Sequence, residues 1–163
     1  MAAEKNMEKY ETYKKMNENL SRALKAGFYY QAIFIEYAIL EDRLMSLLKY
    51  AGVAYLDKKG NDISITQKLN KAETCSPFSV KFVRDRVSIE LLKQVRAWSK
   101  KRNDLIHHLA TIPYDHESVK QLALEGNDLV KVLSLKVRSV NNYHKKLHQE
   151  PVGCEGKRDN LEQ

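Results

Sequence analysis

The sequence predicts an all-α fold, an antiparallel up-and-down bundle of four to five helices, on three observations. Apolar residues recur at helical spacing through several long segments, and strand-period alternation is sustained nowhere. Only three prolines and six glycines occur in 163 residues, and they fall mostly where helices should end. Residues suited to helix capping, Ser64, Ser88 and Asp115, stand just ahead of apolar-periodic segments.

The first helix is expected from about Ala3 to Lys25. It is charged, with a thin apolar stripe of Met7, Tyr10, Tyr13, Leu20 and Leu24, which places it on the outside of the bundle. Gly27 marks a break. The segment Phe28 to Tyr50 is apolar nearly all round and predicts a central, buried helix, with Ile33, Tyr37, Leu40, Leu44 and Leu47 as its inner stripe. Asp57-Lys58-Lys59-Gly60-Asn61 signals a turn. Ser64 and Gln67 then have capping-box spacing and open a short helix to about Glu73. The chain loops again around Cys75-Ser76-Pro77. Ser88 caps a long helix from Ile89 to about Ala110, stopped by Pro113, and Asp115 caps a last helix ending near His148. Residues 1–148 thus form one helical domain without internal repeats. Residues 149–163, with two glycines, a proline and mixed charges, have little to bury and predict a disordered tail.

Composition narrows the function. Apolar residues make up 43% and charged residues 30%, the balance of a solvated globule. The richest apolar run, Phe28 to Leu40, is interrupted by Glu36 and falls short of the roughly 20 residues of a membrane span. Glu4, Lys5 and Glu8 leave no apolar core for a signal peptide, so a cytoplasmic protein without membrane association is expected. Cys75 and Cys154 lie far apart with no Cys or His at ligand spacing, which argues against a disulfide framework and a structural zinc site. No metal and no cofactor are expected. A net charge of +7 and a pI near 9.3 favour a phosphate-rich partner, although no arginine-rich run and no glycine-rich phosphate loop occur.

The chemistry concentrates in the Ile89 to Ala110 helix. At about 100° per residue, Leu91, Val95, Trp98, Leu105, Ile106 and Leu109 gather on one arc, with Arg102 near its middle. An arginine there must reach a carboxylate, a phosphate or a wet interface. Asn103 and His107, four residues apart, project from the edge of the same arc. Polar side chains therefore converge at the rim of an apolar face, where a partner helix would sit.

The run Arg102-Asn103-Asp104-Leu105-Ile106-His107 resembles the motif of the HEPN superfamily, all-helical domains that include many metal-independent ribonucleases. Its pattern is an arginine, a polar residue, and a histidine after four to six intervening positions; Arg102, Asn103 and His107 match with four. The motif covers six residues, and the fold resemblance covers roughly 1–148. Arg138 and His144 also have permitted spacing, but Ser139 follows the arginine and Arg138 points away from the apolar stripe of its helix. The resemblance implies an endoribonuclease acting in toxin–antitoxin, phage-defence or RNA-processing settings. It also implies a homodimer with one composite site and, in some settings, a separate antitoxin protein.

The residue types suit that reaction. Without a metal, the ribose 2′-hydroxyl attacks the adjacent phosphorus, leaving a 2′,3′-cyclic phosphate and a 5′-hydroxyl. Histidine suits proton transfer, and a guanidinium offers fixed donors to the phosphorane oxygens. Asn103 would orient His107 or bind a phosphate oxygen. Arg96, Lys93 and Lys100 share a face adjoining His107 and would track an RNA backbone. Tyr114 is a rim candidate. The competing reading of Arg102 is a buried ion pair with Glu36 or Glu41. His108 faces the opposite, solvated side. His144 and His148 have the spacing of a helical metal pair but lack an HExxH glutamate, so they read as structural or solvent-facing. Trp98, Tyr29, Tyr30 and Tyr37 read as core rather than base-stacking residues. Two functional alternatives remain: a non-catalytic HEPN-like module that binds nucleotide, RNA or a protein, and a purely structural helical adaptor.

Overall fold

Gly27 ends the first helix with φ +75°, a conformation that costs glycine little. The turn is a Schellman motif: the Phe28 amide donates to the Ala23 carbonyl at 2.8 Å and the Gly27 amide to the Leu24 carbonyl at 3.2 Å. In the computed structural model, which describes residues 2–74, 85–109 and 115–147, this separates α1 (Ala2–Lys25) from α2 (Tyr29–Tyr50). The same motif closes α2 at Gly52. The expected loop at Cys75-Ser76-Pro77 lies outside the described residues. So do Ala110, Pro113, Tyr114, His148, Cys154 and the tail 149–163.

The polar turn at Asp57 to Asn61 is held by the Asp57 carboxylate, which accepts from the amides of Lys59 (2.8 Å) and Asn61 (2.9 Å). A single antiparallel bridge, Leu56 with Asp62, flanks it. α3 (Ile65–Thr74) opens on the expected capping box: the Ser64 amide donates to Gln67 Oε1 and the Gln67 amide to Ser64 Oγ. α4 (Ile89–His108) starts at Ser88, whose Oγ accepts from the Leu91 amide at 3.2 Å. α5 (His116–Leu147) starts at Asp115, whose carboxylate accepts from the amides of Glu117 and Ser118. The described residues contain no strand, and the architecture is an all-α helical bundle.

α2 touches every other helix, most extensively α5. Its buried residues include Ile33, Ile39, Leu40, Leu44 and Leu47, which meet Val95 and Trp98 of α4 and Ala123, Leu133 and Val137 of α5 in one core cluster. Trp98 is fully buried, and its indole N–H donates to the Leu122 carbonyl at 2.9 Å. α5 comes close here because residue 126 is glycine: a Cβ on Gly126 would collide with the Glu36 carboxyl and stand 2.7 Å from the Trp98 ring. α3 is tied on two sides. Lys68, almost wholly buried, pairs with Glu41 of α2 at 3.1 Å, and Glu73 pairs with Arg96 of α4 at 2.9 Å.

Several faces differ from the periodicity reading. Met7 and Tyr10 are each 63% exposed, so the inward face of α1 is carried by Leu20, Ala23 and the half-buried Tyr13, Met16 and Leu24. α2 is not buried all round, because Tyr30 and Phe34 are exposed and Tyr37 is half-buried. Leu109 is exposed, and α4 runs to His108.

Candidate functional site on α4

Arg102 stands on the inward-turned side of α4 in the turn after Trp98, and it is half-buried. Neither predicted acid pairs with it. Glu41 is taken by Lys68, and both carboxyl oxygens of Glu36 are buried without a hydrogen-bond partner. The Arg102 guanidinium instead lies over two aromatic rings of α2, its Cζ 4.3 Å from the centre of Tyr37 and 5.3 Å from that of Phe34. Its one side-chain hydrogen bond among the described residues runs from an η nitrogen to Asn103 Oδ1 at 3.1 Å. Its Nε is buried with no partner. The competing ion-pair reading therefore gives way to a cation held by ring faces and an amide. Such a cradle fixes the guanidinium without neutralising it, because a ring quadrupole and a neutral oxygen carry no formal charge.

Asn103 is half-buried and turns its oxygen to Arg102, not to His107. His107 is exposed and makes no side-chain hydrogen bond among the described residues. The three motif residues thus share one stretch of α4, but only Arg102 and Asn103 are in direct contact. His108 is also exposed, with Nδ1 2.9 Å from the Asp104 carbonyl of the preceding turn. Around the guanidinium, burial and then Glu41 push the Tyr37 phenol above its ordinary pKa, against the pull of Arg102. Tyr37 therefore stays a neutral ring, which suits it as a platform for a cation.

The site borders an uncovered apolar strip. Tyr30 (39% exposed) and Phe34 (50% exposed) are one helical turn apart on α2, Ala38 follows at the same spacing and is exposed, and Ile106 on α4 is half-buried. The three basic residues of the α4 face have different surroundings. Arg96 is engaged, with Nε and an η nitrogen on Glu73 and an η nitrogen on Asn70 at 2.8 Å, so its fork joins α3 to α4. Lys93 and Lys100 are exposed and make no ion pair among the described residues.

The aromatic cradle is what the sequence reading missed. Phe34 and Tyr37 have i, i+3 spacing on either side of Glu36, and in a segment apolar all round that spacing looks like core. Tyr30 and Tyr37, core residues on the sequence pattern, are exposed and half-buried respectively, while Trp98 is core. Tyr29 is half-buried with its ring 5.2 Å from that of His116, and half-buried His144 sits 5.6 Å from the Tyr50 ring. Among the described residues no three His, Cys, Asp or Glu side chains gather as metal ligands, and no helix is long and apolar enough to cross a membrane.

Compared with protein families, curated proteins and solved structures, the chain matches none. The functional reading therefore rests on its own residues.

Proposed function

We propose that this protein is a metal-independent endoribonuclease of HEPN type, acting as a homodimer with one composite site built from two copies of Arg102, Asn103 and His107. The observation that carries the reading is the state of Arg102. It is a half-buried guanidinium positioned by Tyr37, Phe34 and Asn103 and left without a carboxylate partner among the described residues. A buried-side cation that no acid neutralises suits a phosphate supplied from outside.

The exposed His107 has no side-chain hydrogen bond among the described residues, and a second copy would supply its surroundings. A partner seated on the Tyr30–Phe34 strip would cover apolar surface and bring its own α4 alongside. One histidine would then accept the 2′-hydroxyl proton as that oxygen attacks phosphorus. The other would protonate the departing 5′-oxygen, and the two guanidinium groups would hold the non-bridging oxygens of the phosphorane. RNA would supply the nucleophile that DNA lacks, with Lys93 and Lys100 along its path. A cytoplasmic role as a toxin or defence protein, with a separate antitoxin, belongs to the same proposal.

The deciding experiment incubates the purified protein with single-stranded RNA and with DNA of the same sequence, in EDTA. The expected products are a 2′,3′-cyclic phosphate and a 5′-hydroxyl from RNA only. His107→Ala should cost about 10²–10⁴ in rate and Arg102→Ala about 10²–10³. Cleavage undiminished by both substitutions would remove the assignment.

A further inference from the structure

A second concentration of positive charge lies on a different face of the bundle. α1 and α5 both pack on α2, and residues of all three line a cleft of about 490 Å³. On the α2 wheel, Ser46 in this cleft is nine residues from Tyr37, which at 100° per residue is the opposite side of the helix from the Arg102 cradle. Five of the lining side chains are basic, Lys9, Lys14, Arg43, Lys49 and Arg138, and among the described residues none is acidic.

The carboxylate bonded to this lining, Asp42, is already committed. Asp42 accepts from Lys9 Nζ at 3.0 Å, Arg43 at 2.7 Å and the Tyr13 hydroxyl at 2.6 Å. Burial works against ionisation there, but the hydrogen bonds from Tyr13, Arg43 and Lys9 prevail and hold Asp42 below the ordinary carboxylate range. Arg43 is fixed further, its Nε donating to the Tyr13 hydroxyl at 2.7 Å. This network makes a rigid floor. Lys14, Lys49 and Arg138 stand around it, exposed and without an ion pair among the described residues. A concave site carrying three unpaired cations concentrates an anion far better than the same charges scattered on a convex surface.

We infer that this cleft binds a nucleoside polyphosphate, with Lys14, Lys49 and Arg138 on the phosphates and the exposed ring of Tyr10 against the base. The volume lies within the range of small-molecule sites and holds one nucleotide. A single-stranded nucleic acid would call for a run of aromatic platforms for successive bases. Here Tyr10 alone presents a freely exposed ring, since Tyr13 and Tyr50 are half-buried. Asn17 and Asn141, also in the lining, offer amides for the sugar or the base edge.

The test is calorimetric titration of the full chain with ATP, inorganic triphosphate, adenosine and a single-stranded RNA oligomer. ATP should bind, and Lys14→Gln/Arg138→Gln should weaken it by about tenfold or more. Tyr10→Ala should weaken ATP and leave triphosphate unchanged. Lys58→Gln/Lys59→Gln, in the exposed turn, and Arg102→Ala should leave ATP affinity as it is, so the result stands apart from RNA cleavage. Circular dichroism checks each variant for folding, and Lys49→Gln supplies an independent substitution should the double variant misfold. Absence of ATP binding at about 1 mM would overturn the inference. So would equal losses from the turn lysines, or an RNA oligomer that binds far more tightly than ATP and loses that binding in the cleft variants.

Discussion

The guanidinium carbon of Arg102 lies 4.3 Å from the centre of the Tyr37 ring, and the nearest acids of α2 are otherwise placed: Glu41 on Lys68, Glu36 sealed in the core. If the ring face positions the cation for a phosphate, the ring matters more than its hydroxyl. Tyr37→Phe should preserve RNA cleavage, whereas Tyr37→Leu should reduce it by about tenfold, the loss of a partly desolvated cation–π contact. Thermal unfolding separates this from a folding defect. Arg102→Met should change stability by less than about 1 kcal/mol, since it leaves no carboxylate unpaired and removes a buried Nε that had no partner. A large loss of stability in Arg102→Met would show the arginine to be structural.

Glu36 gives a prediction in pH. Its carboxyl is fully buried without a hydrogen-bond partner, and burial pushes its pKa from an ordinary 4.5 up to about 9. In the native protein the group keeps a proton that the unfolded chain releases above 4.5. Its contribution to stability is therefore whole below that pH and declines as pH rises toward about 9. Replacing it with an apolar side chain of similar length removes the penalty. Glu36→Met should be more stable than wild type by at least about 2 kcal/mol near pH 8, with a smaller gap near pH 5. Denaturant titration at the two pH values reads this directly, and a gap independent of pH would show that the carboxyl finds a partner or water.

These two residues also mark how far the sequence could be read. Helix starts were legible because capping is local chemistry: Ser64 with Gln67, Ser88, and Asp115 each bind amides within three residues of themselves. Arg102 on an apolar arc was equally legible, being a property of one helix. Its partner was not, because that depends on which face of α2 meets α4. A segment apolar nearly all round leaves that face open, so Glu36 is a candidate partner on the sequence and Tyr37 a core residue, whereas Glu36 is sealed in the core and Tyr37 half-buried under Arg102. The partner of Glu41 depends on the same packing: Lys68 of the short α3 helix is buried and takes it.

Arg96 and the two lysines of its helix face should separate cleanly by experiment. Arg96 joins α4 to Glu73 and Asn70 of α3, with both members of the ion pair partly exposed. Arg96→Ala should lower stability by about 1 kcal/mol after allowance for solvent screening. Lys93→Gln/Lys100→Gln should leave the melting temperature unchanged and weaken RNA binding. The slope of log affinity against log salt should flatten by about 1.4 for two lost phosphate contacts on a single strand. An unaltered slope would place RNA elsewhere on the surface.

The proposed composite site makes the sharpest prediction, because it would require two copies and says which residue each would lend. A Tyr30→Glu substitution sits on an exposed ring and should leave the protomer folded while breaking association on the apolar strip, with cleavage lost in parallel. The more demanding test mixes two inactive proteins, Arg102→Ala and His107→Ala. In a mixed dimer the first protomer still carries His107 and the second still carries Arg102, so one guanidinium and one imidazole face the scissile phosphate from opposite sides. Activity should return to at least about tenfold above either variant alone. A site contained within one protomer offers no such rescue, since each chain would lack half of its own machinery whatever it was mixed with. Sedimentation of the mixture shows whether mixed dimers form. Mixed dimers that form and are no more active than either parent would show that one imidazole and one guanidinium do not suffice.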